Sequence, residues 1–135
     1  MKRIILTYGT FDLFHIGHLR LLSRARALGD FLAVGLSTDK FNLSKGKKSV
    51  FSYEERHAIL NGIRYVDEVF EENEWEQKRA DLVRYQATAL VMGSDWEGKF
   101  DQFSDICKII YLPRTEGISS TYVKNLLSQE EPRRD

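Results

Sequence analysis

"RIILTYGTFDLFHIGHLRLLSRARALGDFLAVGLS", residues 3–37, decides how the chain folds. The opening "RIILTY", residues 3–8, is short, apolar and β-rich, and reads as a buried strand. Leucines then recur at 19, 21, 22 and 28 with helical spacing, and Gly29 stands where a glycine ends a helix. "FLAVGLS", residues 31–37, has almost no polar residue, which fits a strand covered on both faces of a parallel sheet. Between the first strand and the helix lie His15 and His18, two of only three histidines in the chain.

The same alternation continues outward. A polar loop, "TDKFNLSKGKKSV", precedes a helix opened by Ser52, with Glu55 three residues later as a capping box. "DEVF" (67–70), "ALVMG" (89–93) and "CKIIYLP" (107–113) read as strands, "EWEQKRADLVRYQ" and "SSTYVKNLLSQ" as helices. This order predicts an α/β fold, a doubly wound, mostly parallel five-stranded sheet with helices on both faces. The 135 residues suit one domain, 1–135, with the charged tail 129–135 expected to fray.

Composition narrows the partner. Twenty basic and twenty acidic residues cancel, so the broad positive field that attracts nucleic acid is absent. No run approaches the length of a membrane span, and the start is too short for a signal-peptide core. The single cysteine, Cys107, fits neither a disulfide nor a CxxC zinc site, and a cytoplasmic setting is expected. The expected partner is a small molecule, with no nucleic acid and no membrane.

In doubly wound sheets ligands sit beyond the carboxyl ends of the strands. The loops there hold "GTFDLFHIGH", "SKGKK", "GSDWEGKFD" and "PRTEGISST": histidines, lysines, an arginine and a hydroxyl-rich helix start, a set suited to a polyanion such as a nucleoside triphosphate. Neither a GxxxxGK[ST] loop nor a GxGxxG after the first strand is present. HxxH without a third ligand makes a poor zinc site. Spaced i, i+3 at a helix start, His15 and His18 share a face where the helix dipole already favours anions, and Gly17 lets a bulky anion approach the backbone. Packing or capping is the ordinary alternative for such histidines.

"GTFDLFHIGH" resembles the HxGH signature of the cytidylyltransferase-like nucleotidyltransferases, and "RTEGISST" resembles their RTxGISTT signature, with Ser120 in place of a threonine. "SYEERHAIL", "IRYVDEV", "NEWEQK", "VMGSDWEGKFD" and "YLPRTEGIS" extend the likeness to the glycerol-3-phosphate cytidylyltransferase family over nearly all of residues 3–128. The resemblance implies a Rossmann-like fold and transfer of CMP from CTP to glycerol 3-phosphate by in-line attack on the α-phosphate. The products would be CDP-glycerol and pyrophosphate, with CDP-glycerol feeding teichoic acid or another surface glycan; the alternatives are an adenylyltransferase of the same fold using ATP and another phosphorylated acceptor, and a non-catalytic nucleotide-binding module. It implies His15, His18, Lys45 and Arg114 as catalytic residues. Thr10, Phe11, Ile16, Gly17, Asp95 and Trp96 would join them around the nucleotide, as would Thr115, Glu116, Gly117, Ile118, Ser119, Ser120 and Thr121. Lys45, reaching over the phosphates from a flexible loop, and Lys78 would take the acceptor phosphate; a solvated loop or helix lysine is the alternative for each. Trp96 could equally be structural, and Asp12 could orient His15 or lie near a metal. Mg²⁺ would ride on the phosphates, with no dedicated protein cage. Residues 64–67 match a segment near a homodimer interface, and His57 reads as a surface histidine.

Overall fold

The computed structural model describes residues 2–114 and 119–129. Thr115, Glu116, Gly117, Ile118 and most of the expected fraying tail lie outside the described residues. The strands are β1 (Ile4–Gly9), β2 (Phe31–Ser37), β3 (Glu68–Glu72), β4 (Ala89–Gly93) and β5 (Lys108–Leu112). The helices are α1 (Ile16–Ala27), α2 (Asp39–Ser44), α3 (Tyr53–Asn61), α4 (Gln77–Arg84) and α5 (Ser120–Gln129). Short 3-10 turns at Ser94–Trp96 and Asp101–Phe103 join β4 to β5.

All five strands form one sheet in the order β3-β2-β1-β4-β5, and every pairing is parallel. Period-two alternation sends neighbouring apolar residues to opposite faces. Ile5, Leu32 and Val91 meet Leu22 and Ala25 of α1 and Leu60 of α3. Leu6, Ala33 and Leu90 meet Leu82 of α4 with Phe100 and Phe103. Strands buried on both faces explain the apolar runs that marked them in the sequence.

Strand order reverses beside β1, which pairs with β2 over Ile4–Gly9 but with β4 only at Ile5↔Ala89 and Leu6↔Leu90. Beyond that point β1 and β4 part. A crevice opens at their carboxyl ends, the place where open α/β sheets take ligands.

Local chemistry sets the boundaries. Ser52 and Glu55 form the capping box expected at α3, with Glu55 N–H donating to Ser52 Oγ at 3.2 Å and Ser52 N–H to Glu55 Oε1 at 3.0 Å. Gly29 follows α1 for want of space: a Cβ there would lie 2.6 Å from the Arg3 carbonyl oxygen. The loop expected at 38–50 instead begins with α2, capped by Thr38, whose Oγ1 accepts from Phe41 N–H. Six residues are too few to show helical periodicity.

Candidate active site

The turn after β1 is strained. Phe11 and Leu13 take left-handed backbone angles, φ 50° and 51°, unusual for large side chains. Buried Asp12 between them holds the turn. Its carboxylate accepts from the backbone N–H groups of Leu13, Val50 and Phe51, while its carbonyl accepts from Ser120 Oγ. Asp12 makes no hydrogen bond to His15; it ties the turn to the loop before α3 and to α5. Lys124 Nζ of α5 lies 3.7 Å from the same carboxylate.

His15 and His18 start α1 as a reciprocal cap. His15 Nδ1 accepts from Gly17 N–H at 3.0 Å, and His18 Nδ1 accepts from His15 N–H at 3.2 Å. A nitrogen that accepts carries no proton, so both rings are neutral with hydrogen on Nε2. The rings stack 3.8 Å apart, and Phe11 and Phe14 flank His18. Burial, then the neighbouring His15, pushes the His18 imidazole down to about 3, with Asp12 pulling the other way. Burial also lowers His15. Among the described residues, His15 Nε2 is the one buried side-chain nitrogen or oxygen without a hydrogen-bond partner. The ordinary capping role and the anion-facing role therefore coexist: Nδ1 caps the helix, and Nε2–H is left to donate.

Two clefts meet at this turn, sharing Thr10, His18, Trp96 and Ser120. The smaller, about 260 Å³, has His15, Gly17, Gly93, Asp95, Arg114 and Ser119 on its walls. Arg114 NH1 lies 3.4 Å from Asp95 Oδ2 on the open surface. Gly93 faces empty space where a Cβ would stand. Ser119 Oγ accepts from Tyr122 N–H, so this hydroxyl also caps α5.

The larger cleft, about 510 Å³, is lined by Lys45, Lys47, Lys78 and Lys124, with Thr121 and the rings of Trp75 and Phe100. Net neutrality of the chain thus conceals a local concentration of cations. Lys78 is not an exposed helix lysine: it is 2% exposed and ion-paired with buried Glu72. Its ammonium lies 4.7 Å from both the Tyr8 and Trp75 ring centres. Nor does Lys45 ride a flexible loop. It caps the C-terminus of α2, with its ammonium 4.2 Å from the Phe41 ring centre. Burial lowers the Lys45 ammonium below the usual lysine range, with Glu72 the main opposing influence.

The other expected residues divide between the cleft walls and their surroundings. Ile16 is 47% exposed and lines neither cleft, because the first helical position points away from the face shared by His15 and His18. Phe11 touches both clefts, but its ring is buried in the core. The Thr10 hydroxyl donates to buried Asn42. Trp96 borders both clefts, its ring tilted against Trp75 and Phe100. Asp67, expected at a subunit interface, is engaged within the chain: its Oδ2 accepts from Leu32 N–H and pairs with Arg26.

Sequence reading missed Arg56, Glu72, Ser37 and Asn42. Fully buried Arg56 donates to the carbonyls of Phe51, Thr10 and Ser37 and to Asp39 Oδ1, fixing the ends of β1 and β2. An arginine on a short amphipathic helix carries no signal that it is buried. Among the described residues no three His, Cys, Asp or Glu side chains group as metal ligands, and Asp12 is already taken up by N–H donors and Lys124. No helix among them is long and apolar enough to cross a membrane.

The arrangement can seat two anionic ligands side by side. The cytidylyltransferase-like family matches residues 6–126. The chain is 59% identical over 124 residues to a glycerol-3-phosphate cytidylyltransferase of Bacillus subtilis (strain 168), covering 92% of this chain and 95% of that protein. It is 55% identical over 127 residues to the Staphylococcus aureus (strain NCTC 8325 / PS 47) protein of the same name, covering 94% and 96%. Among solved structures, the lipopolysaccharide core biosynthesis protein of Thermoplasma volcanium GSS1 shares the fold, with TM-score 0.73, 20% identity, and coverage of 86% of this chain and all of that one. The chain belongs to the cytidylyltransferase-like family and, within it, to the glycerol-3-phosphate cytidylyltransferases.

Proposed function

We propose that the protein transfers CMP from CTP to glycerol 3-phosphate, giving CDP-glycerol and pyrophosphate. The observation that carries the reading of the site is the pair of neutral imidazoles whose Nδ1 atoms are spent on the α1 cap, leaving Nε2–H as the free donors. The nucleotide occupies the smaller cleft, with its base toward Gly93 and Asp95 and its phosphates along His15, His18, Arg114 and the start of α5. Arg114 supplies a forked donor, and the first turn of α5 supplies N–H groups and hydroxyls. The acceptor phosphate occupies the larger cleft, between Lys45 and Lys78.

The shared wall puts the two ligands next to each other, so an acceptor phosphate oxygen can approach the α-phosphorus in line. That oxygen forms the new P–O bond as the bond to pyrophosphate breaks. No side chain is needed as nucleophile. The protein contributes positioning and stabilisation of the charge that moves onto the leaving pyrophosphate. Neutral imidazole donors fixed before the reaction need no reorganisation at that moment. Mg²⁺ enters as part of the substrate, on the phosphates of CTP, where it keeps several of its waters.

A cytoplasmic, homodimeric enzyme supplying a surface-glycan pathway such as teichoic acid synthesis completes this reading. Sedimentation tests the dimer. For the activity, pyrophosphate release with glycerol 3-phosphate is compared for CTP and ATP, with the product identified by mass. CDP-glycerol formed with CTP, and loss of turnover in His18→Ala, are expected. Turnover with ATP alone would contradict the cytidylyl assignment.

A further inference from the structure

Glu72 ends β3 and is 2% exposed, although no role in the transfer described above requires a carboxylate there. Its surroundings are specific. Oε2 pairs with the Lys78 ammonium, and Oε1 accepts from Ser37 Oγ at 2.8 Å. The Ser37 hydroxyl, its proton given to Glu72, turns a lone pair outward, and Lys45 Nζ lies 3.5 Å from it. The backbone carbonyl of Glu72 accepts from Thr38 N–H, which fixes the start of α2 and hence the lysine at its end. One buried carboxylate thus reaches two lysines of the larger cleft, Lys78 and Lys45, by different oxygens.

We propose that Glu72 is the shared positioning residue of the acceptor subsite, holding Lys78 directly and Lys45 through Ser37 so that both stand charged and aimed before the phosphate monoester arrives. This rests on the reading of the larger cleft as the acceptor's place. The Lys78 ammonium is enclosed by the rings of Tyr8, Trp75 and Phe100, so it is held away from water and needs a counter-charge beside it. Glu72 supplies that charge. The groups facing Lys45 are Glu72 from β3, Lys78 from α4, Arg56 from α3 and Lys47 from its own loop. Of these only Glu72 favours the charged form, so neutralising it leaves burial and three cations acting together. The phosphate then meets the full charge of Lys45 only if a proton is taken up on binding.

The test compares wild type with Lys45→Ala, Glu72→Gln and Ser37→Ala, measuring KM for glycerol 3-phosphate and for CTP from pH 7 to 9, where the acceptor phosphate is already dianionic. Lys45→Ala should raise the acceptor KM and spare that for CTP; no change there would overturn both this inference and the reading on which it rests. Given that change, Glu72→Gln should show an acceptor KM that climbs as pH rises across the window, since each pH unit above a required proton's release loses about tenfold in binding. The wild-type value should stay flat, and KM for CTP should follow wild type. A merely structural Glu72 would lower the melting temperature without this pH slope, and a wild-type slope in Glu72→Gln overturns the proposal. Should Glu72→Gln not fold, Ser37→Ala decides. It keeps both charges, so an acceptor KM raised several-fold is the expected result, and an unchanged one overturns the relay.

Discussion

On the proposed reading the two clefts hold phosphate by different means. In the smaller one the donors beside the β1 turn are neutral, two imidazole Nε2–H groups and the N-terminal turn of a helix, with Arg114 as the added cation. In the larger one the donors are full ammonium charges, set among aromatic rings and balanced by one buried carboxylate. The difference matches what each cleft must do. A neutral donor can favour the triphosphate most as charge moves onto the leaving group, without trapping the pyrophosphate afterward. A charged pair gathers a small dianion that has few other handles.

Breaking the larger cleft should have the largest effect. Lys78→Met leaves Glu72 buried without its partner, a change that costs about 3–5 kcal/mol in stability. Urea unfolding measures it, and Lys45→Ala, at a half-buried position that keeps the Glu72–Lys78 pair, should cost far less. Next comes the smaller cleft. His15→Ala and His18→Ala should each reduce kcat by roughly 100- to 1000-fold, the typical loss on removing a donor to developing charge. Circular dichroism should show both variants folded, with a weaker start to α1. Gly35→Ala follows. A Cβ there would lie 2.4 Å from the Tyr8 ring, and moving that ring in a packed core costs about 1–3 kcal/mol. Because Tyr8 contacts Lys78, the acceptor KM should rise more than the CTP KM. Smallest is Arg79→Ala, which removes an exposed pair with Asp105. It should change stability by less than about 1 kcal/mol and leave both KM values alone.

The histidines also set a pH signature. His18 titrates at about 3 in the folded chain, against 6.5 for a free imidazole. The unfolded chain therefore binds its proton first as pH falls. Stability from this residue's neutral state is fully present above about 6.5 and is lost progressively toward pH 3. Thermal melts across that window should show the decline flatten in His18→Gln. The rate at limiting CTP should show no limb near pH 6.5 from these imidazoles.

Local chemistry made part of this legible beforehand. The β1 run, the HxGH turn, the Ser52–Glu55 capping box and the apolar central strands each announce themselves within a few residues. The parallel sheet followed from their alternation. What escaped is tertiary. Nothing local distinguishes Arg56, buried beneath the ends of two strands, from a surface arginine. The two glutamates at 71 and 72 look alike in sequence, yet pleating leaves one exposed and buries the other under two lysines. The resemblance pointed to Lys78 as an acceptor-phosphate residue, but its burial against Tyr8 and Trp75 has no local signal. Ile16 erred the other way: its place inside HxGH suggested a contact, but its side chain leaves the shared face.

Nitrogen-15 NMR of histidine-labelled protein at pH 7, assigned with single His→Gln variants, tests most directly that the two site histidines are neutral donors through Nε2. Both His15 and His18 should show an unprotonated Nδ1 and a protonated Nε2, unchanged from pH 8 down to pH 6. An imidazolium signal, or a proton on Nδ1 of either ring, would contradict the cap that holds them and the role assigned to their free N–H groups.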